Sequence, residues 1–251
     1  MLQYLIVCPL VFLAGLVDSI AGGGGLISLP AYLIAGVPVH GALGTNKLSS
    51  AMGTVVSTAR LAKHGFLRGK VLMAACSSVA ALIGSALGAH LALMAPETVI
   101  KHMMIVVLPV VAFYVFKNKD MGEHEGKSPL PQKQVFAICM ASAFFIGGYD
   151  GFYGPGTGTF LILILTGAAR LDTRSASAQT KVINLSSNVA ALVTFIATGN
   201  VYYPLGLTAG FCSILGHYIG AGMVAHGGHK VVRPVVLLVL GALFIKILSG
   251  R

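Results

Sequence analysis

Charged side chains are scarce in this chain: they make up 10% of its 251 residues, and only 7 residues are acidic. A typical soluble domain is about 25% charged, so a water-soluble globule of this size would have too few charges to cover its surface. A disordered chain needs low hydrophobicity, whereas 56% of these residues are hydrophobic and 32 more are glycine. The composition excludes both classes and predicts a chain that is largely surrounded by lipid.

Motifs for catalysis or metal binding are also missing. The four cysteines lie inside apolar runs without CxxC spacing, which favours a role as small packing residues over a zinc site or a disulfide framework. The chain has no HExxH and no GxSxG motif, so an intramembrane enzyme is the least favoured function. We expect no metal and no cofactor.

Long apolar runs dominate the rest of the sequence. Two apolar regions, 2–36 and 134–168, are interrupted by glycine-rich stretches at 22–25 and 151–158, where a regular helix cannot continue. Irregular backbone at membrane depth is tolerated only inside protein or beside a water-filled cavity. Six further runs are each long enough to cross a bilayer: 43–62, 71–94, 98–116, 175–198, 204–226 and 231–249.

The basic residues predict which loops face the cytoplasm. Twelve of the 17 lysines and arginines lie in four short segments, and the positive-inside rule places these segments in the cytoplasm. The joins near 38–42, 96–98 and 200–204 then face outward. Each broken region begins and ends on one side, so it forms either a hairpin or two half-helices, and both chain termini lie outside the cytoplasm. The twelve are Arg60, Lys63, Arg68, Lys70, Lys117, Lys119, Lys127, Lys133, Arg170, Arg174, Lys230 and Arg233.

The two halves of the chain are weakly similar to each other. Residues 15–18 align with 147–150, Gly22 with Gly154, and Lys47 with Lys181. We therefore predict an all-α polytopic membrane protein of two inverted-topology repeats, each a broken, re-entrant-like helix hairpin followed by three transmembrane helices. Such repeats are typical of secondary transporters. Repeat 1 is 1–117 (hairpin 2–36; spans 43–62, 71–94, 98–116), the cytoplasmic linker is 118–133, and repeat 2 is 134–251 (hairpin 134–168; spans 175–198, 204–226, 231–249).

Asp18 and Asp150 each precede one of the glycine breaks. Ionisable residues inside a membrane are costly and mark functional sites by default, which makes both carboxylates candidates for proton coupling. The alternative is that each caps the short helix that follows it. His217, in the middle of a span, could relay protons, but a hydrogen bond between helices is the favoured interpretation.

Each break opens a short helix, whose free backbone N–H groups and dipole attract anions. Lys47, Ser50 and Thr54 share one helical face, and Lys181, Asn184 and Asn188 repeat that spacing. The alternatives are close packing at the glycines and snorkelling of the lysines to the interface. The candidate substrate-binding residues are Gly23, Gly24, Gly25, Asn46, Lys47, Ser50, Thr54, Gly156, Thr157, Gly158, Thr180, Lys181, Asn184 and Asn188.

These motifs resemble a known family. The stretch 18–30, with the segments 36–38 and 44–47 that follow it, is similar to the first half of the TauE/SafE family, also called the sulfite exporter or toluene sulfonate uptake permease family. Residues 148–158 and 181–184 resemble its second half. The resemblance implies a bacterial inner-membrane permease with duplicated halves. It also implies anionic substrates such as sulfite, sulfonates, thiosulfate or related organosulfur anions.

We therefore predict a secondary transporter of a small anion, a sulfur oxyanion or organosulfonate first of all, across the bacterial inner membrane. Proton coupling and alternating access between the inverted repeats are expected. The expected partners are the anion, protons and membrane lipid. Nucleic acid is not expected, because the basic residues lie in short loops, and the oligomeric state stays open. The alternatives are a passive anion channel and a transporter of a non-sulfur organic anion.

Overall fold

The computed structural model describes residues 1–117 and 130–225, which form nine helices and no strand. The predicted all-α class is confirmed for these residues. The predicted last span, 231–249, and most of the predicted linker, 118–133, lie outside the described residues. The helices are α1 (Leu2–Ala21), α2 (Gly25–Ile34), α3 (Val39–Lys63), α4 (Val71–Met94), α5 (Glu97–Lys117), α6 (Gln132–Phe152), α7 (Thr157–Gly167), α8 (Thr173–Ala197) and α9 (Tyr203–Ala225).

Five of these helices, α1, α4, α6, α8 and α9, are long and apolar enough to cross a membrane. Large apolar side chains such as Leu72, Leu87, Phe145 and Phe211 are exposed on their outer faces. Exposed apolar area is unfavourable in water by about 25 cal/mol per Å², a penalty that acyl chains remove. The described part of the chain is that of a multi-pass membrane protein.

Polar residues are collected on two of the longest helices, α3 and α8, which pack against each other. Both are 25 residues long, and their buried residues include several hydroxyl and amide side chains and one lysine each. A polar face that meets lipid would leave its groups unpaired. These two helices therefore turn their polar faces toward each other and toward the hairpins, while more apolar helices surround them.

Each glycine break is the turn of a hairpin with unequal arms. α1 has 20 residues and α2 has 10, so the arms are about 30 Å and about 15 Å long. The Gln3 side chain donates a hydrogen bond of 3.0 Å to the Ala35 carbonyl, which joins the two ends of this hairpin. α6 and α7, with 21 and 11 residues, form the second one. Of the two predicted forms, the structure has the hairpin, with a single short helix in each.

The helices pack in two groups that do not follow chain order. α4 packs along α6 and α8, and α9 packs along α1 and α3. Thus α4 and α9 are exchanged: each packs with helices of the other half of the sequence. Glycines allow the close approach, since a Cβ on Gly84 or Gly88 would overlap the backbone of α6, and one on Gly216 would overlap the backbone of α1. We call α1, α2, α3 and α9 the first group, and α4, α6, α7 and α8 the second group. The α3–α8 contact is the main interface between them.

Loops that the charge pattern assigns to one side of the membrane are close together. On one side, Lys70 donates to the Ser175 hydroxyl at 2.6 Å and lies 3.5 Å from the Asp172 carboxylate. On the other, His40, Glu97 and Asn200 line a common depression. Burial raises the pKa of Asp172, but hydrogen bonds from Ser175 and the charge of Lys70 outweigh it and hold that pKa below its usual value. Asp172 is therefore an ionised N-cap of α8.

Gly22→Ala tests the turn of the first hairpin. Gly22 has φ 70° and a Cβ there would overlap the Gly158 backbone, whereas Gly36, with φ 83°, has no atom within 4 Å of a Cβ. The left-handed conformation alone costs about 1–2 kcal/mol, which is the full effect expected of Gly36→Ala. Gly22→Ala should cost several times as much. The measurement is the melting temperature of the purified protein in detergent, and equal melting of the two variants would contradict the contact.

Candidate anion site between two helix breaks

The turns of the two hairpins touch, backbone against backbone. A Cβ on Gly22 would overlap Gly158, and one on Gly158 would overlap Gly22. The Thr159 hydroxyl donates to the Gly22 carbonyl at 3.2 Å and ties the start of α7 to the first turn. Close packing, one of the two interpretations of the glycines, therefore holds at this crossing. It brings the first turns of α2 and α7 to the same place.

A small cavity lies beside this crossing. Its volume is about 30 Å³, room for about two water molecules. Both groups of helices contribute to its lining, and the lining includes both predicted carboxylates. The lining residues are Val11, Ala14, Gly15, Asp18, Gly23, Gly24, Gly25, Ser28, Asn46, Lys47, Ser50, Asp150, Gly154, Thr157, Gly158, Asn184, Asn188, Ser213 and His217.

Two buried ion pairs cross between the groups. Lys47 Nζ of α3 lies 2.8 Å from Asp150 Oδ2 of α6, and Lys181 Nζ of α8 lies 2.8 Å from Asp18 Oδ2 of α1. The lysine side chains are only 2% and 0% exposed, which excludes snorkelling. Each lysine pairs with the carboxylate of the other predicted repeat, so these crossed pairs join the two halves of the sequence.

The surroundings of the two carboxylates differ. Asp18 also contacts His217 Nε2 at 3.2 Å and accepts a bond of 3.3 Å from the Gly24 N–H, so it caps α2 as well as pairing with a lysine. Lys181 bonds the Asp18 backbone carbonyl in addition. Asp150 instead accepts a bond of 2.6 Å from the Ser187 hydroxyl. One carboxylate therefore faces a titratable ring and the other a neutral hydroxyl.

The paired carboxylates neutralise the lysines. Removing two charges from water is costly, and close pairing with further hydrogen bonds compensates for that cost. An anion that approaches Lys47 must compete with Asp150, which already lies at ion-pair distance. Protonation of a carboxylate would weaken its hold on the ammonium group. The arrangement can therefore link the binding of a proton to the binding of an anion.

Most of the predicted site residues line the cavity, and four do not. Thr54 donates its hydroxyl to the Ser50 carbonyl of its own helix at 2.7 Å. Gly156 is the left-handed N-cap of α7, with φ 90°. Thr180 is fully buried, and Lys181 reaches Asp18 from outside the lining. Asn184 and Asn188 line the cavity and bond each other at 3.1 Å.

The sequence prediction missed several residues of this site. Ser28, Gly154 and Ser213 line the cavity, and Ser187 bonds Asp150 from α8. Ser213 and His217 stand one turn apart on α9, a polar pair in an apolar span that could have indicated a site. Ser187 is next to Asn188 in the chain, but its partner Asp150 lies in another helix, which no spacing within α8 indicates.

These features define a multi-pass helical membrane protein with a charged cavity at two crossed helix breaks. The family model described as sulfite exporter TauE/SafE matches residues 7–247, and the chain belongs to this family of membrane transporters. The resemblance seen in the sequence is confirmed.

Several proteins similar to this chain are named as probable membrane transporters. One from a Sinorhizobium species, the probable membrane transporter protein ORF9, is 37% identical over 95% of this chain and 89% of its own length. A probable membrane transporter protein of Haemophilus influenzae is 34% identical over 90% and 87%. The probable membrane transporter protein YfcA of Escherichia coli is 30% identical over 94% and 86%. No solved structure matches the chain.

Lys181→Met tests the buried ion pairs. Removing the lysine leaves Asp18 buried with only His217 and the Gly24 N–H as partners. Breaking a buried ion pair costs about 3–5 kcal/mol, so the melting temperature should fall by many degrees. Adding Asp18→Asn should restore much of the loss, because the remaining amide is neutral. Lys70→Met, at an exposed pair, is the control, with an expected cost of about 1 kcal/mol or less. A Lys181→Met protein that melts like wild type would contradict the pair.

Proposed function

We propose that this protein is a secondary transporter that moves a small anion across the bacterial inner membrane, coupled to protons. A sulfur oxyanion or organosulfonate is the substrate class that the family name favours. Both chain termini lie outside the cytoplasm in this proposal, following the positions of the basic loops. The observation that carries the proposal is the pair of crossed lysine–carboxylate contacts at a cavity between two helix breaks.

The chemistry of the cavity suits an oxyanion. A sulfonate or sulfite group resembles a carboxylate in its charge and in its several acceptor oxygens, so it can replace Asp150 at the Lys47 ammonium. Residues at the starts of α2 and α7 also line the cavity, where the positive ends of the helix dipoles favour an anion; they are Gly23, Gly24, Gly25, Thr157 and Gly158. Asn46, Ser50, Asn184 and Asn188 supply amide and hydroxyl donors in the same lining.

Coupling follows from competition for the lysines. A proton on Asp18 or Asp150 weakens the ion pair and frees an ammonium group for the anion. When the proton leaves, the carboxylate returns to its lysine and displaces the anion. The binding of each then favours the binding of the other, which is a reciprocal linkage. A transporter needs this linkage if a proton gradient is to drive the anion.

Alternating access also depends on these contacts. Both ion pairs bridge the first group and the second group, so their opening weakens the interface at which the groups would move. The cavity has room for about two water molecules, so an organosulfonate enters only if the groups separate. We propose that the moving bodies are these two groups, each of which takes one helix, α4 or α9, from the other half of the sequence.

Transport by the purified protein in liposomes tests this function. Sulfite, thiosulfate, methanesulfonate and sulfoacetate are compared with acetate under an imposed pH gradient, each after subtraction of the uptake by protein-free liposomes, because weak acids such as acetic acid cross the bilayer unaided. Accumulation of at least one sulfur anion, abolished by a protonophore, is the expected result. Flux that stops when the anion concentration is equal on both sides, and that does not respond to the pH gradient, would identify a passive channel. Accumulation of acetate alone would indicate a non-sulfur organic anion as the substrate. Absence of flux for every anion tested would contradict the transport of the tested anions.

The double variant Lys47→Met/Asp150→Asn tests the lysine in the cavity. It removes the ammonium group without leaving a buried charge behind. Because a charge-assisted hydrogen bond contributes about 1.5–3 kcal/mol, the affinity for the anion should fall by about tenfold or more. The measurement is the shift in melting temperature with anion concentration. Lys70→Met should bind like wild type, and unchanged affinity in the double variant would remove Lys47 from the site.

A further inference from the structure

His217 occupies a distinctive place in the cavity. It is 2% exposed, and α9 holds it within the first group against Asp18 of α1. A Cβ on Gly53 of α3 would overlap the imidazole ring, and one on Gly15 of α1 would come within 2.7 Å of Nδ1. Two glycines in two neighbouring helices therefore leave the space that the ring fills.

The hydrogen bonds of the ring determine where its protons are. Nδ1 lies 2.9 Å from the Ser213 backbone carbonyl, which can only accept, and 3.3 Å from the Ser213 hydroxyl, which can accept as well as donate. A hydrogen on Nδ1 satisfies both contacts. Nε2 lies 3.2 Å from Asp18 Oδ2. A neutral ring with its hydrogen on Nδ1 would set a bare nitrogen against a carboxylate oxygen, and two acceptors repel. The contact therefore requires one more proton, on Nε2 or on Asp18.

The position near Asp150 that corresponds to His217 has no titratable ring. Gly84 and Gly88 of α4 match Gly216 and Gly220 of α9, so Ser85 is the counterpart of His217. The alignment of the lysines makes Ser187 the counterpart of Gly53. The Ser187 hydroxyl donates to Asp150 at 2.6 Å, and the Ser85 hydroxyl donates to the Ser187 carbonyl at 2.6 Å. Serine hydroxyls, which do not titrate near neutral pH, replace the imidazole ring.

We propose that His217 and Asp18 share the coupling proton of this transporter, and that Asp150 carries no coupling proton. This inference rests on the proposed function and assigns its proton to one of the two carboxylates. The transfer moves one proton between Nε2 of His217 and Oδ2 of Asp18, and no other bond changes. With the proton, Asp18, His217, Lys181, Lys47 and Asp150 together carry a net charge of +1, and without it they carry none.

This charge explains how a proton attracts the anion. A net positive cavity of low dielectric favours one negative charge, and a neutral cavity does not. The charged groups around His217 are Asp18 from α1, Lys181 from α8 and Lys47 from α3, with Asp150 across the cavity. Arg60 of α3 donates a hydrogen bond to the backbone carbonyl of Tyr218, the residue after His217 on α9, and its guanidinium group lies over the Tyr218 ring. One proton per monovalent anion follows as the expected stoichiometry.

Ring titration tests the proton site without any substrate. The full chain, labelled at histidine with ¹³C and ¹⁵N, is placed in lipid nanodiscs, and the His217 signal is the one that His217→Gln removes. If that variant does not fold, Ser213→Ala assigns the signal by shifting it. The expected result is a His217 ring that changes protonation between about pH 5 and 9. A ring that keeps one form over this whole range would overturn the proposal.

Flux in liposomes tests the coupling role, with methanesulfonate and thiosulfate as probes because both stay ionised in this pH range. His217→Gln should carry the anion down its own gradient but accumulate about tenfold less of it under a pH gradient. Ser85→Ala, at the matched position of α4, should accumulate it like wild type. Accumulation by His217→Gln with a wild-type pH profile would overturn the proposal. If wild type moves neither anion, the proposed transport of these anions fails, while the ring titration still decides the proton site.

Discussion

The cost of placing charge in a lipid-surrounded interior governs this structure. A lysine or carboxylate that loses water must find a partner of opposite charge, and each of the four innermost charges does so at 2.8 Å. Those contacts link α3 to α6 and α8 to α1. The two most polar helices therefore occupy the centre, and more apolar helices enclose them. The same cost makes the pairs sensitive to a proton or a competing anion, so one constraint accounts for both the architecture and the proposed function.

Glycine at the two breaks makes the arrangement geometrically possible. The hairpin turns approach so closely that side chains at Gly22 and Gly158 would overlap the opposite backbone. Each turn lies a few residues after a carboxylate, so bringing the turns together also brings Asp18 and Asp150 to one cavity. The short helices then begin at that cavity, with their amide ends toward it. Packing and anion chemistry are compatible interpretations of these glycines.

Much of the fold could be predicted from the sequence, because its signals are local. Runs of apolar residues and glycine clusters indicated the helices and the breaks, and α4 covers the predicted run 71–94. Asp18, Lys47, Asp150 and Lys181 were recognised as a small set of intramembrane charges, since residues of this kind are rare in lipid. The unequal hairpin arms follow from the positions of the glycine breaks. The packing of α4 and α9 with helices of the other half of the sequence was not predicted, because it depends on which helix surfaces fit together.

The sequence by itself determined the class of protein, the positions of the helices, the two breaks and the family. Composition and spacing act within one or two helical turns, and they are sufficient for these features. Only the tertiary structure decided the partners: Lys47 with Asp150 rather than Asp18, and His217 with Asp18 rather than with a neighbouring span. Those pairs join residues far apart in the chain. Their formation depends on where the hairpin turns and exchanged helices pack, which no local pattern encodes.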